Sequence, residues 1–205
     1  MERRDFFRLG LATGIGTIAL SSEAWALEYY PIPSDKKCAV IYSTWCGSSR
    51  DAAVWISEGM GGIADVFDVR ENPDPSSFDN IIVGGSIRSG ATRQELQDYI
   101  KKNQAVLGKK VRGLFAVCGN GEKPVGAQQQ TMYIDNHLAK LCGVGKVPAK
   151  VFNGRITKPL LDPETRQMME KMYPNLAGKE LEDYDLLNRA DCLAFGNEIL
   201  ENLSA

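Results

Sequence analysis

Cys38-Ala39-Val40-Ile41-Tyr42-Ser43-Thr44-Trp45-Cys46-Gly47-Ser48-Ser49 sets an unbroken apolar run directly before a small, polar turn that carries a glycine. Such a run is what a strand buried on both faces of a parallel sheet shows. Ala52, Ala53, Ile56 and Met60 then recur at helical spacing, and Gly59, Gly61 and Gly62 close that helix. The alternation repeats downstream. Ile63 to Val69 reads as a second strand, Asn72-Pro73-Asp74-Pro75 as a polar loop, and Asn80-Ile81-Ile82-Val83-Gly84 as a third strand. A helix from about Thr92 to Asn103 carries Leu96, Tyr99 and Ile100 on one stripe. Gly113 to Val117 is the fourth strand, Val125 to Leu141 a helix, Lys146 to Phe152 the fifth strand, and Glu164 to Met172 and Asp183 to Leu203 are closing helices. Five strands alternating with helices predict one doubly wound parallel α/β sheet, because parallel neighbours need right-handed crossovers, usually helical.

The 205 residues are 43% hydrophobic and 24% charged, proportions of an ordinary globular chain. With 24 Lys plus Arg against 26 Asp plus Glu, the net charge of −2 supplies no field for gripping nucleic acid. The N-terminus has a separate logic. Met1 to Arg8 is charged, Leu9 to Leu20 is apolar, and Ala24-Trp25-Ala26 is a small-residue end, the layout of an export signal. Twelve apolar residues span about 18 Å as a helix, short of a ~30 Å hydrocarbon core, so no stable membrane span is expected once the signal is removed. Arg3-Arg4-Asp5-Phe6-Phe7-Arg8 resembles the twin-arginine signal, which carries folded proteins across the bacterial inner membrane. An ordinary basic leader, or a weak uncleaved tether, are the alternatives. The expected division is a signal over 1–26, a spacer over 27–36 and one domain over 37–205, with a periplasmic destination. Folded export matters most for proteins that load a cofactor before leaving.

Ligands of doubly wound sheets bind beyond the carboxyl ends of the strands, where strand order reverses. Three small-residue loops fall there: Ser43 to Ser49, Gly84-Gly85-Ser86-Ile87-Arg88-Ser89-Gly90, and Cys118-Gly119-Asn120-Gly121-Glu122. Hydroxyls and N–H groups at a helix start can cradle a phosphate, although Ser and Thr there also serve as plain N-caps. Thr44-Trp45-Cys46-Gly47-Ser48-Ser49 resembles the Thr-x-Thr-Gly-x-Thr phosphate loop of the flavodoxin superfamily. The chain is more similar still to the flavodoxin-like menaquinone-dependent protoporphyrinogen oxidase family. That likeness lies at Tyr42 to Gly47, at Val83 to Gly90 and at Glu182-Asp183-Tyr184-Asp185. The resemblance implies a flavodoxin-like five-stranded parallel sheet in three α/β/α layers, with FMN as cofactor. Ser43, Thr44, Trp45, Cys46, Gly47, Ser48 and Ser49 would hold the phosphate. Ser86, Ile87, Arg88, Ser89 and Gly90, with Cys118, Gly119, Asn120 and Gly121, would flank the isoalloxazine ring. Cys46 replaces a hydroxyl residue of the pattern, and both ring-flanking loops lack the aromatic that commonly stacks on the flavin.

Arg88 is the one cation in the ring-facing loop. It is expected near the N1 and C2 carbonyl side of the flavin, stabilising the negative charge that gathers there on reduction; the plain alternative is a solvated surface arginine. A rival chemistry sits in Trp45-Cys46-Gly47-Ser48-Ser49, which imitates the Trp-Cys-Gly-x-Cys motif of thioredoxins, with Ser49 in place of the resolving cysteine. A catalytic thiol there would need a lowered pKa. Five cysteines leave at least one without an intramolecular partner; a Cys46 to Cys118 bridge is conceivable. His137, the only histidine, lies mid-helix with no second ligand at metal spacing. The acidic run Glu180 to Asp185 reads as a solvated helix start. The overall expectation is an exported FMN-binding electron-transfer protein working with a redox partner protein or a quinone. The alternatives are an FMN-dependent oxidoreductase, and a binding module that has lost its FMN.

Overall fold

The computed structural model describes residues 31–119, 127–177 and 180–204. The signal expected over 1–26, together with Asn120 and Gly121, lies outside the described residues. β1 (Cys38–Ser43), β2 (Ala64–Asp68), β3 (Asn80–Ile87), β4 (Val111–Cys118) and β5 (Ala149–Asn153) form one parallel sheet in the order β2-β1-β3-β4-β5. Strand order therefore reverses between β1 and β3.

Alternation along each strand builds two cores. Ala39 and Ile41 of β1 join Ile81, Val83, Leu114 and Ala116 on one face, beneath α2 (Gln94–Lys110) and α3, the helix over 127–142. Residues Gln130–Ala139 of α3 are wound as a π-helix. On the other face Val40, Tyr42, Ile82, Phe115 and Phe152 pack beneath α1 (Ser48–Gly59) and α5 (Arg189–Ser204), through Ile56, Phe195 and Ile199. Each fully buried aliphatic or aromatic side chain is worth about 1.5–3 kcal/mol relative to exposure, so the paired faces fix the register of β1 between β2 and β3. No described helix is long and apolar enough to cross a membrane.

Between β5 and α5 the chain adds a cover over the carboxyl ends of the sheet. β6 (Arg155–Ile156) pairs antiparallel with β7 (Tyr184–Asp185), and α4 (Pro163–Ala177) lies between them in sequence. This corrects two expectations. The last helix starts at Arg189 rather than Asp183, because the Asn188 side chain accepts the N–H of Ala190 at 2.8 Å and caps it. The acidic run is not a helix start: Asp185 is spent on Arg155 and Asp183 accepts the N–H of Lys158 at 2.8 Å.

Candidate cofactor site

The first loop is a closed turn. Gly47 has φ +84°, the left-handed region that disfavours a side chain, and its N–H donates to Thr44 Oγ1 at 3.0 Å. Its carbonyl accepts the N–H groups of Arg50 and Asp51 at 3.0 and 3.1 Å, which launches α1 at Ser48. Ser48 and Ser49 open the helix and are buried, so their N–H groups have no acceptor inside it. Ser43 is buried at the end of β1, and its Oγ has no hydrogen-bond partner among the described residues.

Ser86 ties the second loop to the first. Its hydroxyl accepts the N–H of Trp45 at 3.1 Å, shares a hydrogen bond with Ser49 Oγ at 2.9 Å and donates to the carbonyl of Ser43 at 3.4 Å. Beyond Ile87 the chain reverses tightly. Arg88 and Ala91 exchange backbone hydrogen bonds around Ser89 and Gly90, both at positive φ, as in a two-residue hairpin turn. β3 thus runs on to Ile87, beyond the Gly84 end expected from the sequence. Trp45 swings toward this loop: its indole lies 4.8 Å from the Arg88 guanidinium and 4.2 Å from that of Arg93. An aromatic absent from the second and third loops in sequence is therefore supplied beside the second loop by the first. Its Nε1 is buried without a partner among the described residues.

Arg88 is neither a freely solvated arginine nor an unopposed cation. It pairs with Asp162 at 3.1 Å, and that carboxyl titrates at about 2, held down by hydrogen bonds from Thr165 and by Arg88 itself. At the third loop, Cys118 is buried at the end of β4 and burial lifts its thiol to about 11; Gly119 is exposed. All five cysteines are free and buried, so Cys46 and Cys118 are not bridged. Burial also raises the pKa of Cys46, which a backbone hydrogen bond from Thr157 and the nearby Arg155 only partly oppose. That direction is opposite to what an activated thiol needs.

The sequence assigns no role to Arg155 and Arg93, and Tyr184 and Asp185 enter the site only through the family likeness. Arg155 reaches the first loop from β6, its Nη1 2.7 Å from Asp51 in the first turn of α1 and its Nη2 2.6 Å from Asp185. Tyr184 Oη donates to the carbonyl of Gly119 at 3.2 Å. Arg93 donates toward the carbonyl of Thr44 at 3.4 Å. His137, expected as a helix-face residue, is half-buried, and its Nε2 accepts the N–H of Thr92 at 3.1 Å. Two concavities elsewhere have no lining from the described residues of the three loops: about 440 Å³ beside β5 near Asn153 and Asn188, and about 790 Å³ near Ile134 and Val147. The chemistry gathers instead at the β1/β3 reversal.

Comparison with known proteins agrees with this geometry. The family model described as the flavodoxin domain matches residues 39–183, well over half of the chain. Protoporphyrinogen IX dehydrogenase [quinone] of Escherichia coli K12 is 28% identical over 100 residues, covering 46% of this chain and 55% of that protein. The chain thus spans about half the length of the curated relatives it matches. The flavodoxin, WrbA-like protein of Agrobacterium tumefaciens superposes with a TM-score of 0.51 at 11% identity, covering 82% of this chain and 98% of that one. Oxidised flavodoxin 1 of Bacillus cereus gives 0.49 at 16% identity, over 81% and 98%. With the family model matching 39–183 and the sheet order in place, the chain belongs to the flavodoxin domain family.

Proposed function

We propose that this protein binds FMN noncovalently at the carboxyl ends of β1, β3 and β4 and transfers electrons between redox partners. The observation that carries the reading is the meeting of a buried, hydroxyl-rich helix start with a cationic second loop at the reversal of strand order. The donor set fits a phosphate monoester: the N–H groups of Ser48 and Ser49 lack helical acceptors, the Ser43 hydroxyl has no partner among the described residues, and Arg155 stands beside Gly47.

Bound FMN would supply the electron chemistry; the chain supplies position and field. Thr44, Gly47, Ser48 and Ser49 hold the phosphate end. Ser86 locks the first and second loops into one surface, so that the ring-facing turn Ile87 to Gly90 keeps a fixed relation to the phosphate. Arg88 places positive charge at that turn, moderated by Asp162, which favours an electron-rich ring. Trp45, Cys118 and Gly119 complete the walls. The raised pKa of Cys46 supports a packing role and speaks against thiol exchange.

A quinone-linked oxidoreductase is the finer reading, favoured by the likeness to the dehydrogenase of Escherichia coli and by Gly85-Ser86-Ile87-Arg88-Ser89-Gly90. The twin-arginine motif supports export of the folded, loaded protein. The test is the visible spectrum of the full chain purified from flavin-replete cells, followed by titration of the stripped protein with FMN. Flavin absorption bands and saturable micromolar uptake are expected. A colourless protein that takes up no FMN overturns the cofactor reading. Stopped-flow reoxidation by quinones then separates enzyme from carrier, since a carrier gains no turnover from them.

A further inference from the structure

Arg155 stands 108 positions after Gly47 in the chain, yet its Nη1 lies 3.6 Å from where a Cβ on Gly47 would be. Its guanidinium is held from two sides. Nη1 meets Asp51 Oδ2 at 2.7 Å, while Nε and Nη2 both meet Asp185 Oδ2, at 2.9 and 2.6 Å. With only 21% of its side chain exposed, the fork has little freedom to leave the loop. We infer that Arg155 is a phosphate-recognition residue, the group that makes this site select phosphorylated FMN over unphosphorylated riboflavin; the inference rests on the FMN reading above.

The charges require such a group. A phosphate at the start of α1 brings close to two negative charges to a helix whose first turn already carries Asp51. The local set is two cations, Arg50 and Arg155, and two carboxylates, Asp51 and Asp185, which sum to zero. Without Arg155 the set is −1 and faces an incoming dianion. With it the set is neutral, and the planar fork sits where an anion held by the loop can share its N–H groups. Hydroxyls and N–H groups alone can bind a phosphate, and Arg50 already pairs with Asp51, but neither offsets Asp185, the second carboxylate that Arg155 pairs with. The strands that deliver Arg155 and Asp185 pair with each other, Arg155 opposite Asp185, so the ribbon fixes the guanidinium before any ligand arrives.

The experiment measures dissociation constants of the stripped full-length protein for FMN and for riboflavin by quenching of flavin fluorescence, at low and at moderate salt. For Arg155→Met the preference for FMN over riboflavin should shrink roughly 10- to 100-fold, as expected for loss of one charge-assisted hydrogen bond, with riboflavin affinity little changed. The salt dependence of FMN binding should flatten in parallel. Asp51→Asn leaves Arg155 in place and frees it from one carboxylate, so the preference should widen; this arm serves if Arg155→Met does not fold. A wild-type protein that binds neither flavin refutes the cofactor reading itself. A wild-type protein that binds FMN, with the FMN-to-riboflavin ratio unmoved in Arg155→Met or not widened in Asp51→Asn, leaves that reading standing and overturns the role of Arg155.

Discussion

Gly196→Ala tests how α1 is held, and with it the loop at its N-terminus. α1 and α5 lie on the same face of the sheet and approach each other at Gly59 and Gly196. A Cβ on Gly196 would collide with the carbonyl oxygen of Ile56 and stand 2.9 Å from the Cα of Gly59. Both obstacles are backbone, so no side chain can turn aside and the helices must part. Overpacking costs about 1–3 kcal/mol, and a backbone obstacle puts this case at the upper end. Alanine returns about 1 kcal/mol as the better helix former. The net loss is about 2 kcal/mol, which for a domain of this size lowers Tm by roughly 4–8 °C. Gly108→Ala in α2 is the matched control: its Cβ would meet the carbonyl oxygens of Cys142 and Gly143 at an ordinary 3.4 Å, leaving only the gain in propensity. The assay is thermal melting by circular dichroism of the three flavin-free proteins in one buffer, because bound ligand would shift Tm by mass action. Opposite signs are expected, down for Gly196→Ala and level or up for Gly108→Ala. A Gly196→Ala protein that melts at or above the wild type refutes the close backbone contact, and with it the account of what positions Ser48 and Ser49.

Two further outcomes follow from the site and its surroundings. Burial lowers the pKa of His137, and Nε2 must be neutral to accept the Thr92 N–H, so the unfolded chain protonates first as pH falls. Stability should therefore be flat above the ordinary histidine range and decline as pH drops from about 6.5 toward the folded value, by at most ~1.4 kcal/mol per pH unit. Urea melts at pH 7.5 and 5.5 read this, and a His137→Gln protein with the wild-type slope would show that another group is responsible. For the loaded protein, Arg88→Gln should lower the two-electron midpoint potential by roughly 30 mV, the equivalent of ~1.4 kcal/mol, a size set by partial exposure and the Asp162 counter-charge. An unmoved potential in a spectroelectrochemical titration removes Arg88 from the redox role.

The sheet was readable because buried parallel strands leave a blunt mark. Cys38 to Tyr42 and Ile81 to Val83 are apolar on consecutive residues, and each is followed by a helix with its own stripe. Topology alone then brought three loops to one edge. Strand ends were harder. Gly84-Gly85-Ser86 reads as a turn, yet β3 continues through it, since small residues are what a central strand needs where Phe115 and Ser43 crowd against it. The cover was illegible for a different reason. β6 and β7 are two residues each, too short for any period to register, and they are held by Arg155 to Asp185 and Tyr184 to Gly119, partners far apart in the chain. The acidic run Glu180 to Asp185 pointed toward a helix start because first-turn carboxylates favour one; the dipole effect, ~0.3–1 kcal/mol, gave way to an ion pair and a ladder. Trp45 was legible as a loop residue, but its placement between two arginines was not, since Arg93 belongs to the approach to α2.

The same contacts set a hierarchy of strength across the site. The floor is β1, β3 and β4, whose side chains lie in the two cores and whose opening would expose them together. The cover is fastened differently: Arg155 to Asp51 at the first loop, Arg88 to Asp162 at the second, Tyr184 to the Gly119 carbonyl at the third. Partly exposed ion pairs of this kind contribute about 0–1 kcal/mol each and weaken with salt. Apolar support is thin, with Tyr173 and Leu181 buried and the two tyrosine rings 173 and 184 stacked at 6.4 Å, while Met168, Met172 and Leu160 face outward. The cover is therefore held less firmly than the sheet beneath it, and each fastening is a contact to one of the three loops that build the site. Against that cover, held by ion pairs, by the Thr157 N–H to Cys46 and by the buried Tyr173 and Leu181, Ser86 and Gly47 keep the first and second loops in one geometry.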